Sequence, residues 1–279
     1  GDSIFGIISL AYGDSVDTTI NTIVTNVTVD DFTADDNAIP FGSYALGSDG
    51  SATVNTKVQN VTITGLRGKT GTGGSLGVKS AAFYAAGSAV SPGDQARATV
   101  EVTNSLMADN LNDGVSSNCT VADLTDVIGG SGTDVVVVVN SLGHNISDDA
   151  SCTSFTQPSD RQNISSILST LGVLQNNGGS VPTRALLAGS PAIASGSAVL
   201  GVTTDARGVA RPNTCPSVGA YQFEGAVCAA TTTNANAGGA AAPNTGAKTA
   251  SSLMAFAAST LGISMIAYAF RKRFAVKIG

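Results

Sequence analysis

The strongest constraint on this chain is a short pattern that returns along its first half and changes side in the middle. Thr22-Ile23-Val24-Thr25-Asn26-Val27-Thr28-Val29 is matched by Thr56-Lys57-Val58-Gln59-Asn60-Val61-Thr62-Ile63, with weaker copies at Val100 to Met107 and Val137 to Leu142. The asparagines of the four copies, Asn26, Asn60, Asn104 and Asn140, are spaced by 34, 44 and 36 residues. Val24 and Val58 have the parity of their asparagine, whereas Val27, Val29, Val61 and Ile63 have the opposite parity. One straight strand cannot bury both sets on one face, because side chains alternate with a period of two. A bend at the asparagine can, since Asn tolerates the left-handed conformation and its amide bonds backbone or an identical residue stacked above. Strand, sharp corner, strand and a loop of variable length make one coil of a parallel β-helix. An antiparallel sandwich with coincidental similarity is the competing reading.

Composition agrees with strands and turns. The chain has 279 residues, 42% hydrophobic but only 5% aromatic, with 33 glycines and no tryptophan. Val, Ile, Leu, Ala and Thr carry the load, which favours strands over helices. Gly- and Ser-rich stretches, residues 68–77 and 129–132, read as loops that protrude from the coils. Charged residues make up 12%, and four of the 14 bases, Arg271, Lys272, Arg273 and Lys277, lie in the last nine residues. The remainder carries 20 acids against 10 bases, a balance that argues against nucleic acid as a partner.

Cys119, Cys152, Cys215 and Cys228 form no C-x-x-C pair and have no histidine placed to complete a zinc site, so no metal is expected. In an exported protein the expected disulfides join Cys119 to Cys152 and Cys215 to Cys228, although four cysteines permit three pairings. The chain starts Gly1-Asp2-Ser3 without a basic and apolar leader, which reads as a truncated or mature product.

Catalytic chemistry has few candidates. No serine or cysteine nucleophile has a recognisable partner, and His144, between Gly143 and Asn145, reads as a turn or corner residue. Asp30-Asp31, Asp35-Asp36 and Asp148-Asp149 are the best paired carboxylates, of the kind that serves acid-base work or calcium binding. Each doublet follows a strand-like run, where Asp is also a good turn former. No catalytic residue and no cofactor is therefore expected. The sequons at Asn26, Asn60, Asn118, Asn145 and Asn163 are glycan acceptors only in a eukaryotic secretory route.

From Ser141 to Glu224 the character changes. The run Ser141-Leu142-Gly143-His144-Asn145-Ile146-Ser147-Asp148-Asp149 precedes Leu174-Gln175-Asn176-Asn177-Gly178-Gly179 and Arg184-Ala185-Leu186-Leu187-Ala188-Gly189-Ser190-Pro191-Ala192-Ile193. Thr204-Asp205-Ala206-Arg207-Gly208 and Val218-Gly219-Ala220-Tyr221-Gln222-Phe223-Glu224 close the block. It resembles the choice-of-anchor Q domain, which ends bacterial surface proteins with right-handed β-helices, some similar to polymorphic outer-membrane proteins. The resemblance is close over this block and loose over the repeats, and it departs at Ala194 and Ala206. It implies a right-handed parallel β-helix in residues 1–140, completed and closed at its end by residues 141–225. Arg207, Arg211 and Asp205 are placed to bond backbone there, or else are solvated loop charges.

Residues 226–249, rich in Ala, Thr, Asn and Gly, read as a flexible linker. Residues 250–270 contain no charge and match the ~20 residues of a transmembrane α-helix. The basic residues after them predict a cytoplasmic tail at 271–279 and an N-terminus outside. Ala242-Pro243-Asn244-Thr245-Gly246, just ahead, resembles the LPXTG signal of sortase substrates, with Ala242 in place of leucine. That resemblance implies cleavage after Thr245 and transfer to the cell wall; otherwise the span is a permanent anchor. The whole sequence thus reads as an all-β, extracellular, surface-anchored and non-enzymatic protein. Its partners would be a membrane, a sortase and cell wall, and an adhesion ligand on a host cell, a glycan or a protein. A surface lyase or glycosidase is the alternative.

Overall fold

A computed structural model describes residues 3–70, 78–225, 227 and 228. Its first half is built from long strands, several of them alternating in burial, that pair with strands far away in sequence; a local antiparallel pair is formed at residues 111–116. β1 (Ile4–Asp14), β2 (Thr18–Thr25) and β3 (Thr28–Asp30) form one circuit, followed by β4 (Ala38–Ser48), β5 (Ser51–Gln59) and β6 (Thr62–Thr64). After the short β7 (Arg67–Gly68), a third circuit comprises β8 (Phe83–Ala89), β9 (Gln95–Thr103) and β10 (Leu106–Ala108). Beyond β11 (Leu111–Asn112) and β12 (Val115–Ser116), the fourth has β13 (Cys119–Asp123), β14 (Asp134–Gly143) and β15 (Ile146–Ser147).

Each strand pairs in parallel with its counterpart one circuit on, giving the sheets β1-β4-β8-β13, β2-β5-β9-β14 and β3-β6-β10-β15. This all-β arrangement of stacked parallel sheets fits a parallel β-helix. Its register sets Val24 on Val58 and Val58 on Val102, so identical apolar side chains stack along the inside. The interior is lined by Ala52, Val54, Val58, Ala96, Ala98, Val100 and Val102, all fully buried, with Phe41 and Phe83 stacked at 6.0 Å between ring centroids. Small and β-branched side chains suit a core whose opposing sheets lie about 10 Å apart.

The side change at the asparagines is realised by backbone geometry. Asn26, Asn60 and Asn104 have φ of 58°, 52° and 49°, each between two strands of its circuit. The fourth corner is not Asn140, which lies within β14 opposite Glu101. His144 occupies it, with φ of 59°, and the Asn104 amide donates to the Gly143 carbonyl. A register shift between Ser141 and Gly143 moves the corner four residues along from the expected place. It also carries β14 across the expected domain boundary at 140.

Residues 148–225 leave the circuits. They contain a short helical turn at Leu168–Thr170 and a hairpin of β16 (Leu171–Gln175) and β17 (Thr183–Leu186). The first part of this segment closes the end of the stack, with Cys152 and Phe155 in the coil core and Arg161 bridged in parallel to Ile146 beyond β15. The remainder follows another course: it lies along the outer face of β3-β6-β10-β15 and touches all four circuits, through Asp30, Thr62, Asn104 and His144. Hence β10 is buried on both faces. Met107 points into the coil core, while Leu106 and Ala108 pack under this strap with Ile146, Ile167, Leu186 and Val218. Leucine outside and methionine inside within one short strand is the pattern of a sheet covered on both sides.

Candidate interaction surface

The corner residues are the grips for the strap. Asn104 accepts a hydrogen bond from the Ser197 amide at 3.0 Å and donates to the Ser197 carbonyl at 2.6 Å, reading the backbone of one residue with both ends of its carboxamide. Asn26 donates to the Thr204 carbonyl at 2.7 Å and accepts from Arg211 at 3.2 Å. Nδ1 of His144 lies 2.8 Å from the Ser195 carbonyl oxygen, a structural bond that occupies the ring. Glycine is required where the strap comes closest. A Cβ on Gly196 would stand 2.9 Å from the Pro216 carbonyl oxygen, and one on Gly219 (φ 92°) would stand 2.6 Å from the Thr62 hydroxyl.

Arg207, Arg211 and Asp205 form the strap's own interior. Asp205 accepts from the backbone amides of Arg207, Val209 and Gln222 and from the Arg207 guanidinium at 2.9 Å. Both side chains are at most 3% exposed, and the guanidinium stacks 3.6 Å above the Tyr221 ring. Arg211 donates to the carbonyls of Thr204, Ser217 and Gly219. Burial pulls its pKa down to about 10, with Asp205 opposing and Arg207 adding to the fall, so it stays charged at neutral pH.

The aspartate doublets are dispersed. Asp30 is held by Arg184 at 2.7 Å and by the Thr64 hydroxyl. Asp31 has φ of 53° and accepts from Thr33; Asp35 is exposed, and Asp36 is 7% exposed. Asp148 accepts from the Asp109 amide and Asn118, while Asp149 is bonded by Ser147, Ser151 and the Asn118 amide. Asp30 and Asp148 occupy one column of the third sheet, three strand spacings apart. That is roughly 14 Å, beyond the ~5–9.5 Å between the carboxylates of a glycosidase pair.

The disulfides join Cys119 to Cys152 and Cys215 to Cys228. The first pair is buried in the coil core and ties the fourth circuit to the start of the strap. Among the sequon asparagines, Asn60, Asn118 and Asn145 are at most 1% exposed, Asn26 is half-buried and Asn163 is exposed. Among the described residues no group of three or more His, Cys, Asp or Glu is placed to hold a metal ion. No described helix is long and apolar enough to cross a membrane. Residues 242–246, 250–270 and 271–279, expected to form the sorting motif, span and tail, lie outside the described residues.

What the sequence reading missed is a hairpin turn that stands out from the strap. Val199 and Val202 form an antiparallel bridge around Leu200 and Gly201, and Gly201 supplies the positive φ of 81° at the third position. Leu200, at the tip, is fully exposed. The turn separates two depressions. One, of about 380 Å³, lies against the outer face of β2 and β5, with Ile23, Thr25, Lys57 and Gln59 as its floor. The other, of about 370 Å³, lies over the Asn60 corner beside Arg211, Pro212 and Pro216. Apolar residues closing on a glycine within an otherwise polar stretch were the signal for this turn.

Comparison of the chain with known protein families, with characterised proteins and with solved structures finds no match.

Proposed function

We propose that the chain is an extracellular, surface-anchored protein whose right-handed parallel β-helix serves a non-enzymatic interaction, of the adhesion type. The right-handed sense follows the strong preference of parallel strand crossovers. One contrast carries the functional reading. Asp30, Asp148 and Asp149 are spent on internal bonds, and Asp30 and Asp148 lie far apart along the stack, whereas an open face lies bare beside a fully exposed leucine. That face presents a row of short side chains in register, Asn21, Asn55, Thr99 and Val138, of which the first three are polar, with Asn55 donating to Asn21 at 3.0 Å. Such an array offers hydrogen-bonding groups at a fixed spacing of about 4.8 Å, flanked by the ion pairs Lys57–Glu101 and Arg97–Asp134, which suits recognition by contact.

Attachment rests on the uncharged residues 250–270, the basic cluster after them and the Pro-Asn-Thr-Gly core before them. Mass spectrometry of protein extracted from the envelope tests it. A C-terminus at Thr245 joined to wall peptide is the sorted product, a peptide running to Gly279 is a retained span, and recovery in the culture medium alone refutes anchoring. The interaction is tested by incubating the whole chain with cells and with a panel of polysaccharides. Saturable binding without release of reducing or unsaturated ends is expected, and turnover of a polysaccharide would refute the non-enzymatic reading.

A further inference from the structure

The corner residues of the first three circuits are the same side chain in the same backbone conformation, yet the strap engages only two of them with both ends of the carboxamide. Asn26 is bonded at both ends, to Thr204 and Arg211, and Asn104 at both ends to Ser197. Over Asn60, which lies between them, the strap swings outward as the turn at residues 199–202. Asn60 is 1% exposed and its Oδ1 has no hydrogen-bond partner. A buried carbonyl oxygen without a donor costs about 1–3 kcal/mol. Asn60 lines the cleft of about 370 Å³ whose walls include Ser197, Leu200, Thr203, Arg211 and Pro216.

We propose that this cleft is a receptor for an extended, uncharged peptide segment of a partner protein, with Asn60 reading its backbone as Asn104 reads Ser197. The inference rests on the interaction reading above and gives its partner a chemistry. Three observations set that chemistry. The unsatisfied atom is an acceptor, so the ligand brings an N–H. The neighbouring Asn104 corner shows what an asparagine in this conformation takes, namely the N–H and carbonyl of one backbone residue. The one charged side chain in the wall, Arg211, directs its guanidinium at three backbone carbonyls and Asn26, which leaves little for an anion. Val199, Leu200 and Pro216 supply apolar walls, and the volume is at the small end of ligand sites, about 300–1,000 Å³.

The probe is the capped tetrapeptide acetyl-Ser-Gly-Ser-Ala-amide, the sequence that the strap itself presents to Asn104. It is titrated into the whole chain and followed by saturation-transfer NMR, alongside N-acetylglucosamine, which offers the same amide on a sugar. Saturable peptide binding is expected, of about millimolar strength for so few contacts. Asn60→Gly, which keeps the positive φ but removes the carboxamide, should weaken it at least about tenfold. Asn60→Asp, which keeps an acceptor, should fall between, and it serves in place of the glycine variant if that does not fold. Absence of peptide binding, equal binding by Asn60→Gly, or binding of the sugar in the peptide's place overturns the proposal. Cell binding is measured on the same samples. Cells bound without peptide sink only this inference, and peptide bound without cells sinks only the adhesion reading.

Discussion

The four circuits and the strap that runs beside them are held together in different ways. In the circuits, stability is distributed, because each strand is laddered to the next and buries small side chains of which no one is special. In the strap, which has few strands, it is concentrated in individual polar groups: Asp205, Arg207, Arg211, the corner asparagines and a disulfide. A repeating backbone therefore tolerates a variable sequence, whereas an irregular one needs side chains that each satisfy several backbone groups.

The largest effect that separates the two should come from Asp205→Ala. It removes the buried carboxylate of the Arg207 guanidinium and leaves only the exposed Glu224 at 3.6 Å, at a cost of about 3–5 kcal/mol. Hydrogen exchange should rise across residues 200–225 and stay low in β5 and β9; uniform loss of protection would show that the strap and coils are one cooperative unit. Leu106→Ala and Met107→Ala provide a paired comparison within β10, each about 2–5 kcal/mol. The leucine variant should loosen the strap and the methionine variant the coils, as read by the same exchange map. Replacing Cys119 and Cys152 by serine removes a closure over 33 residues and should cost about 4 kcal/mol, against about 3 kcal/mol for Cys215 and Cys228 over 13 residues. Chemical denaturation measures both. The smallest contrast is between two asparagines of the repeat. Asn104→Ala adds left-handed strain and loses two bonds to Ser197, about 2–3 kcal/mol, whereas Asn140→Ala, on the outer face of β14, should stay within about 0.5 kcal/mol.

That last pair also shows what could be read in advance. The inversion of parity at Asn26 and Asn60 is a local signal, and it specifies both the corner and the burial of Val24, Val58, Val61 and Ile63. The fourth corner was misplaced because Val135 to Val139 is apolar throughout. A run without alternation does not say which residue faces inward, and the irregularity near Ser141 adds length that no motif announces. His144 was legible as a turn residue from its neighbours Gly143 and Asn145, but not as the equivalent of Asn104. The course of the strap along the side of the stack was illegible for a different reason. It is decided by contacts such as Arg184 with Asp30 and Arg211 with Asn26, across 154 and 185 residues, which leave no periodic trace. Asn60 belongs to both categories. Its conformation was readable from the repeat, but its unpartnered carbonyl emerges only once the strap is seen to bulge away from it.

The register of the circuits is the claim on which the rest stands. It is tested most directly by placing nitroxide labels on cysteines introduced at Asn21 and Thr99, which flank Asn55 on the outer face of the second sheet; the native cysteines are paired and do not compete. In the stacked parallel register the two backbone positions lie two strand spacings apart, about 10 Å. Strong dipolar broadening of the continuous-wave spectrum in the frozen doubly labelled chain, absent from each single label, is the predicted result. Spectra equal to the sum of the single labels would contradict the stacked coils.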